Sequence, residues 1–574
     1  MNTILSTKIL KNKLITLYVA KKIITVNDRN DEAEAVLVQE DKIIGYGKTN
    51  ELKKLLNKKH LNYIVNNLFK NKYIYPGFIE PHMHPQLLGM YLLNFPYIGF
   101  FDRKLPNGKI LKGLKTLKEV IEFIKKEINK DANKNSKWIN FWGYDPLFHN
   151  KEFLTKDVLD SINQDIPICI LHQSNHVMSL NTAGLQKAGY TNLSKDDPLF
   201  DSNNLQKING ELTGIVSETE GMKLAIISGA MNFKASLDDF INATKLVSKI
   251  AQLNGVTTIA DKGLGFPSLN PELSYQAYVK YSLNEESFTR FHLDIWFASI
   301  IVYGGWNKIE KMIKNNNKYL WIGGQKIILD GSIQGFTANL IPGQVYVDNI
   351  LVNGNLQLNE NELATFIENA EIHNLPSHIH ANGSGAIEAC IKVIEKIHPY
   401  NSNKFRHTIE HNQLVTNNQL SRMSKNNICS NFFINHIYYY GDIHAKYTVG
   451  PNLVHGMNPT KSGLMKNVIF AFHSDDPVTP VNPLLSIWTA VNRQSLTSSI
   501  YGEDEIISVY DALKAITINA AYLLNQENYI GSIDLHKFAD FTVLDSPLTE
   551  IDKENIKNIN IYATVLGGKV YLTN

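Results

Sequence analysis

The sequence predicts an α/β protein built on a (β/α)₈ barrel of the TIM type, with a small β-rich domain made from both chain ends. Three observations support this prediction. Short apolar runs alternate with longer helical patterns through the middle of the chain. Both ends contain short, β-branched segments. The first two apolar runs of the middle are separated by roughly 170 residues, far more than one crossover helix needs, which predicts a large insertion after the first barrel strand.

The chain ends contain the candidate strands of the small domain. Near the N-terminus, LYVAKKIITV and AEAVLVQEDKIIGYG alternate partly, and Glu40-Asp41 marks a hairpin turn. Near the C-terminus, FADFTVLD and NIYATVLGGKVYL look similar, with Gly567-Gly568 as a turn. Chain termini often lie close together, so we expect the two ends to pair.

The middle of the chain contains eight candidate barrel strands. Buried parallel strands are nearly continuous apolar runs, and eight of them in alternation with helices favour a closed barrel. A doubly wound sheet is the competing interpretation. The runs are YIYPGFIEPHMH (73–84), GVTTIADKG (255–263), RFHLDIWFAS (290–299), QKIILDGS (325–332), LPSHIHANG (375–383), FRHTIEH (405–411), NICSNFF (427–433) and NVIFAFHSD (467–475).

The predicted domains follow from these runs. We expect residues 1–75 and 521–574 to form the small domain and residues 76–520 to form the barrel, with the insertion at about 95–240. A chain of 574 residues is long for one compact core, which agrees with this division.

Composition excludes several classes of function. The formal net charge is +2, with 57 basic and 55 acidic residues, so no electrostatic signal for nucleic acid or an anionic membrane is present. Three cysteines without CxxC spacing indicate neither a disulfide framework nor a thiolate zinc site. No apolar run approaches the ~20 residues that span a bilayer, and lysines interrupt the N-terminal apolar residues. We expect a soluble, cytoplasmic protein.

Polar residues recur where the predicted strands end. The first run ends in His82 and His84, which share one face because strand residues i and i+2 point the same way. The later runs end in His380, His411 and Asp475. Taken singly, these are ordinary loop or core histidines and a helix N-cap. Their shared position at the carboxyl ends of barrel strands, where barrel enzymes place their active sites, predicts one site.

Four histidines and an aspartate form a nitrogen and oxygen ligand set. Such a set suits zinc first, and also iron, manganese or nickel. A bound divalent ion lowers the pKa of its water towards ~7 and polarises a carbonyl group. A nearby carboxylate can accept the proton of that water and pass it to a leaving amine. The pattern therefore predicts hydrolysis of an amide or a related bond.

An ordered set of motifs resembles a known family. PGFIEPHMH, KIILDGSIQGFTA, HIHANGSGAIE, RHTIEHNQL, FAFHSDDPVTP and GSIDLHKFADFTVLD resemble the amidohydrolase superfamily, and its family 3 branch, which includes N-substituted formamide deformylases. The resemblance covers the chain from about residue 15 to the C-terminus. It implies a metal-bearing barrel and a small β-sandwich made from both chain ends.

The resemblance implies a role for each candidate residue. His82, His84, His380 and His411 match metal ligands, and Asp475 matches an aspartate that binds metal and transfers the proton. Lys326 matches a lysine that, in many relatives, reacts with CO₂ to give a carbamate bridging two metals. The alternative is a neutral or salt-bridged Lys326 beside Asp330 in a one-metal site.

Three further positions come from the same comparison of motifs. His176 matches a family histidine near the substrate, with a purely structural role as the alternative. Glu80 stands where relatives usually have Asp, and Ser384 replaces a common Asp near His380. None of these departures removes a candidate ligand, so we expect an active enzyme with the metal ligands His82, His84, Lys326, His380, His411 and Asp475 and the catalytic residues Asp475, Lys326 and His176.

The predicted function is metal-dependent hydrolysis of a non-peptide C–N bond in an amide, an N-substituted formamide or a cyclic amide, through attack of metal-bound hydroxide. The same ligands also allow hydrolysis of a lactone, ester or phosphoester. A non-catalytic small-molecule binding protein is the alternative from another class. The expected partner is a small-molecule substrate, with no nucleic acid and no membrane, and a homodimer is left open.

Overall fold

The N-terminal segment forms one side of a mixed sheet. The computed structural model describes residues 3–10, 12–130, 137–200, 202–233, 235–266, 270–284, 286–347 and 354–573. Strands β3 and β4 form the predicted hairpin, whose turn residue Glu40 has a positive φ. The elements of this segment are β1 (Ile4–Leu5), β2 (Ile15–Ile24), β3 (Glu32–Gln39), β4 (Lys42–Gly47), α1 (Thr49–Lys58), β5 (Tyr63–Asn66) and β6 (Tyr73–Pro76).

The first barrel strand is followed by the insertion. Strand β7 (Phe78–Met83) is buried along its whole length and leads into α2 (Pro85–Asn94). The insertion contains a five-stranded sheet in the order β10-β11-β12-β14-β13 and a two-stranded hairpin, β8–β9. Its elements are β8 (Arg103–Lys104), β9 (Ile110–Leu111), α3 (Leu117–Ile128), β10 (Ile139–Tyr144), α4 (Lys156–Asp160), β11 (Ile168–His172), β12 (Val177–Leu180), α5 (Thr182–Ala188), β13 (Leu205–Ile208), β14 (Glu211–Ser217) and α6 (Glu218–Ile227).

The remaining barrel strands come in chain order. Parallel pairing runs from β7 through β15 to β21 without a change of direction, so the predicted barrel is confirmed and the doubly wound alternative is wrong. Each predicted run overlaps one barrel strand. The elements are α7 (Leu237–Leu253), β15 (Val256–Leu264), α8 (Pro271–Ser282), β16 (Arg290–Trp296), α9 (Ser299–Val302), α10 (Trp306–Ile313), β17 (Leu320–Ile328), α11 (Glu360–Ile372), β18 (Ser377–Ala381), α12 (Ser384–Ile397), β19 (Thr408–His411), α13 (Asn417–Lys425), β20 (Cys429–Phe432), α14 (Asn435–Tyr447), α15 (Gly450–His455), α16 (Thr460–Met465) and β21 (Phe470–Phe472).

Local sequence signals explain where the long helices begin. In α7, the Ser236 side chain accepts from the Asp239 amide while the Asp239 side chain binds back to Ser236, which is a capping box. Asn359 and Glu362 form the same motif at α11. Among the residues that the structure describes, no helix combines the length and the apolar character needed to cross a membrane.

The first and last barrel strands meet at the end that carries the candidate ligands. The Asp475 amide donates to the carbonyl of His82 at 3.1 Å, and the His84 amide donates to the carbonyl of Asp476 at 2.9 Å. These two bonds close the barrel at its carboxyl end. Because these backbone groups belong to His82, His84 and the Asp475-Asp476 pair, the bonds also fix the relative positions of the three candidate ligands.

The C-terminal segment completes the small domain. Strand β22 (Phe541–Leu544) pairs antiparallel with β6, so both chain ends share one sheet, as the fold prediction required. Gly567 and Gly568 both have positive φ and form the predicted turn. The other elements are α17 (Pro483–Asn492), α18 (Val509–Ala515), α19 (Ile518–Leu523), β23 (Ile561–Leu566) and β24 (Lys569–Leu572).

Candidate active site

Three of the predicted ligands face one another at the carboxyl end of the barrel. The Asp475 Oδ1 atom lies 3.3 Å from His82 Nε2 and 3.4 Å from His84 Nε2. Asp475 has a φ of 53°, a left-handed conformation uncommon outside glycine. That turn in the backbone directs the carboxylate back over the end of β7.

The chemistry of this group fits a metal ion. Asp475 Oδ1 is buried, and no donor among the described residues makes a hydrogen bond to it. A buried carboxylate oxygen without a hydrogen bond is costly unless a cation binds it. His82, His84 and Asp475 each present one ligand atom within 4.8 Å of the others, so the group could hold a divalent metal ion.

Lys326 joins this group from strand β17. Its Nζ atom lies 3.3 Å from His82 Nε2. Burial lowers the pKa of Lys326 from its ordinary value to about 8. Asp330 is directed elsewhere, because its carboxylate accepts from the backbone amides of Asn339, Asn382 and Gly383.

His380 and His411 form a pair directly beside this group, with His411 Nδ1 3.9 Å from Asp475 Oδ2. His411 Nε2 lies 2.9 Å from His380 Nδ1, while His411 Nδ1 lies 3.0 Å from Nε2 of His473. His473 is buried, and with His82 and His411 it makes a second group of three imidazoles. The predicted ligands therefore lie close together as a group of three with Lys326 alongside, and a pair of imidazoles next to it.

His176 reaches the site from the insertion. Its ring lies 5.7 Å from the His380 ring, and its Nδ1 lies 2.9 Å from the Glu218 carboxylate. Burial alone would lower the pKa of His176, but Glu218 raises it above its ordinary value. His176 borders a small cavity beside the candidate ligands, and Glu218 supports His176 from outside that cavity.

Glu80 and Ser384, the two residues that depart from the usual family sequence, lie in different places relative to the candidate ligands. Glu80 Oε1 accepts from the amides of His82 and Ser474, so it ties strand β7 to the end of β21. Ser384 lies at the start of α12, where its hydroxyl binds Gln344 and accepts from the Ile341 amide. Glu80 thus contacts the backbone that positions His82, whereas Ser384 supports a loop.

A buried charged network lies beneath His82. The Glu410 carboxylate accepts from His82 Nδ1 at 2.6 Å and from the Asn431 amide group at 2.7 Å. Lys262 lies 3.6 Å from Glu410 and pairs with Asp294. Burial alone would raise the pKa of Glu410, but Lys262 and His82 hold it well below its ordinary value. The ionised carboxylate keeps the Nδ1 proton on His82 and leaves Nε2 free to bind a metal.

We expect the substitution Glu410→Gln to weaken metal binding by about 10- to 100-fold, because the carboxylate that orients His82 is lost. Competition for zinc with a chelator of known affinity measures this effect. Glu371→Gln is the matched control, since the Glu371 carboxylate likewise accepts from imidazole, namely from His398 Nε2 and His407 Nε2, away from the candidate ligands. Equal zinc affinity of the Glu410 variant and the wild type would contradict the assignment.

Glu371, His398 and His407 also lie close enough together to be considered as metal ligands. His407 Nδ1 accepts from the Ser377 amide at 3.0 Å, which places the proton of the neutral ring on Nε2, facing Glu371. A protonated nitrogen cannot bind a metal, so the contact is a structural hydrogen bond.

The insertion contacts the loop that carries Asp475. The buried Arg103 guanidinium donates to Asp476 Oδ1 at 2.6 Å and also to the carbonyl of Pro477. Gln173 donates to the carbonyl of Val478 at 2.7 Å. These bonds connect the insertion to the residues directly after Asp475.

Sequence reasoning missed several residues of this site. His473 lies two positions before Asp475, and Glu410 directly precedes His411, so both stood inside motifs already recognised. Lys262 is the next-to-last residue of the second predicted run. A charged residue inside an otherwise apolar barrel strand was the available signal for Lys262 and Glu410.

The chain is similar to known metal-dependent hydrolases in sequence and in fold. A model of the amidohydrolase family matches residues 69–571. YtcJ of Bacillus subtilis (strain 168), named as an amidohydrolase, is 27% identical over 557 residues, covering 96% of this chain and 97% of that protein. The N-substituted formamide deformylase of Arthrobacter pascens is 22% identical, covering 95% and 96%. The crystal structure of a metal-dependent hydrolase from Pyrococcus horikoshii OT3 covers 94% of this chain and 99% of its own, with 21% identity and a TM-score of 0.70.

Proposed function

Because this chain belongs to the amidohydrolase family and is a metal-dependent hydrolase, we propose that it hydrolyses a non-peptide C–N bond in a small amide, an N-substituted formamide or a cyclic amide. The resemblance predicted from the motifs is confirmed at the level of the family. The observation behind the proposal is the buried Asp475 oxygen without a hydrogen bond, facing His82 and His84. The name of the Arthrobacter pascens relative supports the choice of a C–N bond.

In this proposal the metal is zinc, held by His82, His84 and Asp475, with His380 and His411 available for a second ion. Imidazole nitrogen and carboxylate oxygen suit zinc. The metal, when bound, supplies an activated water molecule and polarises the reacting carbonyl.

The protein groups move the proton. Asp475 accepts it from the attacking water and delivers it to the departing nitrogen, so water adds across the C–N bond to give a carboxylic acid and an amine. His176, oriented by Glu218, donates a hydrogen bond to the carbonyl oxygen as negative charge develops there.

Lys326 is proposed to carry a carbamate. The neutral amine attacks CO₂, a new N–C bond forms, and one proton is released, which leaves a carboxylate that can bridge two ions. A pKa near 8 keeps a share of the amine neutral at physiological pH.

The test combines metal analysis with a substrate panel. Protein purified without added metal is expected to contain zinc and to release amine from amides, formamides or lactams. His82→Ala is expected to lose both metal and turnover. Preference for lactones, esters or phosphoesters would mean that the protein hydrolyses one of those bonds and not a C–N bond. Absence of metal after incubation with zinc, together with ligand binding without turnover, would favour the binding protein.

A further inference from the structure

The cavity beside the ligands contains a histidine that the proposed reaction does not use. His436 lies in the first turn of α14, directly after barrel strand β20, and borders the same cavity as His176 and Asp475. It is buried, with 1% of its surface exposed, and its ring packs 4.1 Å from that of Phe433. Its Nε2 atom makes no hydrogen bond to any described residue.

A chain of hydrogen bonds sets the tautomer of this ring. The Thr448 hydroxyl donates to the carbonyl of His444 and therefore accepts from His444 Nδ1, at 2.9 Å. His444 Nε2 is then an acceptor, and it lies 3.1 Å from Nδ1 of His436. The proton of His436 is consequently on Nδ1.

The Nε2 atom of His436, a residue that borders the cavity, is therefore an acceptor without a partner among the described residues. Burial lowers the pKa of both His436 and His444, so both rings stay neutral and the arrangement persists at physiological pH. A buried acceptor without a protein partner favours a ligand that brings a donor.

We propose that His436 accepts a hydrogen bond from the N–H of the substrate and selects amides that keep an N–H group, namely secondary amides and N-monosubstituted formamides. This inference rests on the proposed function and narrows its substrate class. His176 and His436 then recognise the two polar atoms of one amide, the carbonyl oxygen and the N–H.

The hydrogen bond is expected to strengthen during the reaction. When Asp475 delivers a proton to the departing nitrogen, the N–H groups become those of an ammonium ion and donate more strongly. Loss of His436 should therefore reduce kcat as well as raise KM. Gln334 also borders the cavity with a free amide oxygen, but an amide can turn over and offer a donor instead, so it does not impose the same selection.

The experiment uses three matched substrates with the zinc-loaded protein: N-butylformamide, its N-methyl derivative and butyl formate. Wild type is expected to prefer the N–H formamide over the N-methyl compound by at least about tenfold in kcat/KM. His436→Ala should lower that ratio by about tenfold and change butyl formate turnover by less than about twofold. His436→Gln, which keeps an acceptor oxygen near the position of Nε2, should recover part of the ratio.

Binding of inert analogues gives a second readout. Calorimetry with N-butylmethanesulfonamide and its N-methyl derivative should show that His436→Ala weakens only the N–H compound, by about tenfold. His172→Ala is the matched control, because His172 is also buried and burial likewise lowers its pKa, but its Nε2 binds the Ser179 hydroxyl within the insertion. That variant should keep the wild-type ratios.

The outcomes separate the two proposals. Turnover of amides with an unchanged N–H preference and unchanged sulfonamide binding in His436→Ala would overturn the role of His436 alone. Failure to hydrolyse any amide or formamide, with ester turnover intact, would overturn the proposed C–N activity and with it this substrate class.

Discussion

Asp475→Asn is expected to lower kcat by about 10³-fold, because the amide cannot accept the proton of water or pass it to the leaving nitrogen. The same change removes one negative charge from the group that faces His82 and His84, so metal affinity should fall as well. Steady-state kinetics at saturating zinc separate the two effects, since added metal restores occupancy but not proton transfer.

The neighbouring aspartate supplies the control for this variant. Asp476→Asn makes the same chemical change one residue later, but the Asp476 carboxylate pairs with Arg103 and accepts from the Val481 amide. We expect lower thermal stability and only a modest change in kcat. Equal losses of kcat in both variants would mean that Asp475 acts through the loop and not on the proton.

Lys326→Met is expected to change the number of bound metal ions from near two to near one and to lower kcat by 10²-fold or more, because no carbamate remains to bridge the ions. Elemental analysis with and without bicarbonate measures the first effect. In wild type, ¹³C-labelled bicarbonate should give an NMR signal of a protein-bound carbamate that the variant lacks.

Lys42→Met is the control for this experiment. Burial also lowers the pKa of Lys42, but that side chain lies over the Phe538 ring in the small domain, away from the ligands. It should keep both the metal content and the labelled signal. Near one metal in wild type, insensitive to bicarbonate, would instead indicate a one-metal site in which Lys326 is a supporting residue.

The barrel was predictable because buried parallel strands have a simple signature. Strands β7 and β15 are buried at every residue, and the sequence indicates them as short runs rich in apolar and β-branched residues. The run predicted for strand β17 began at residue 325, but the strand begins at Leu320 and includes Gly323 and Gly324. Glycine is unfavourable in strands, yet a Cβ on Gly324 would lie 2.5 Å from Asp294 Oδ1. The buried Asp294 carboxylate leaves no room for a side chain at Gly324, and this contact exists only in the folded barrel.

The sequence by itself determined the type of fold and the ligand types, because strand periodicity and residue chemistry are local properties. His82, His84 and Asp475 could be proposed as neighbours from their places at strand ends. Tertiary structure alone decided which nitrogen of each imidazole is free. Glu410 is 328 positions from His82 and keeps its proton on Nδ1, and the Thr448–His444 chain does the same for His436. A hydrogen bond fixes a tautomer only when its partner is within about 3 Å, a distance that folding establishes.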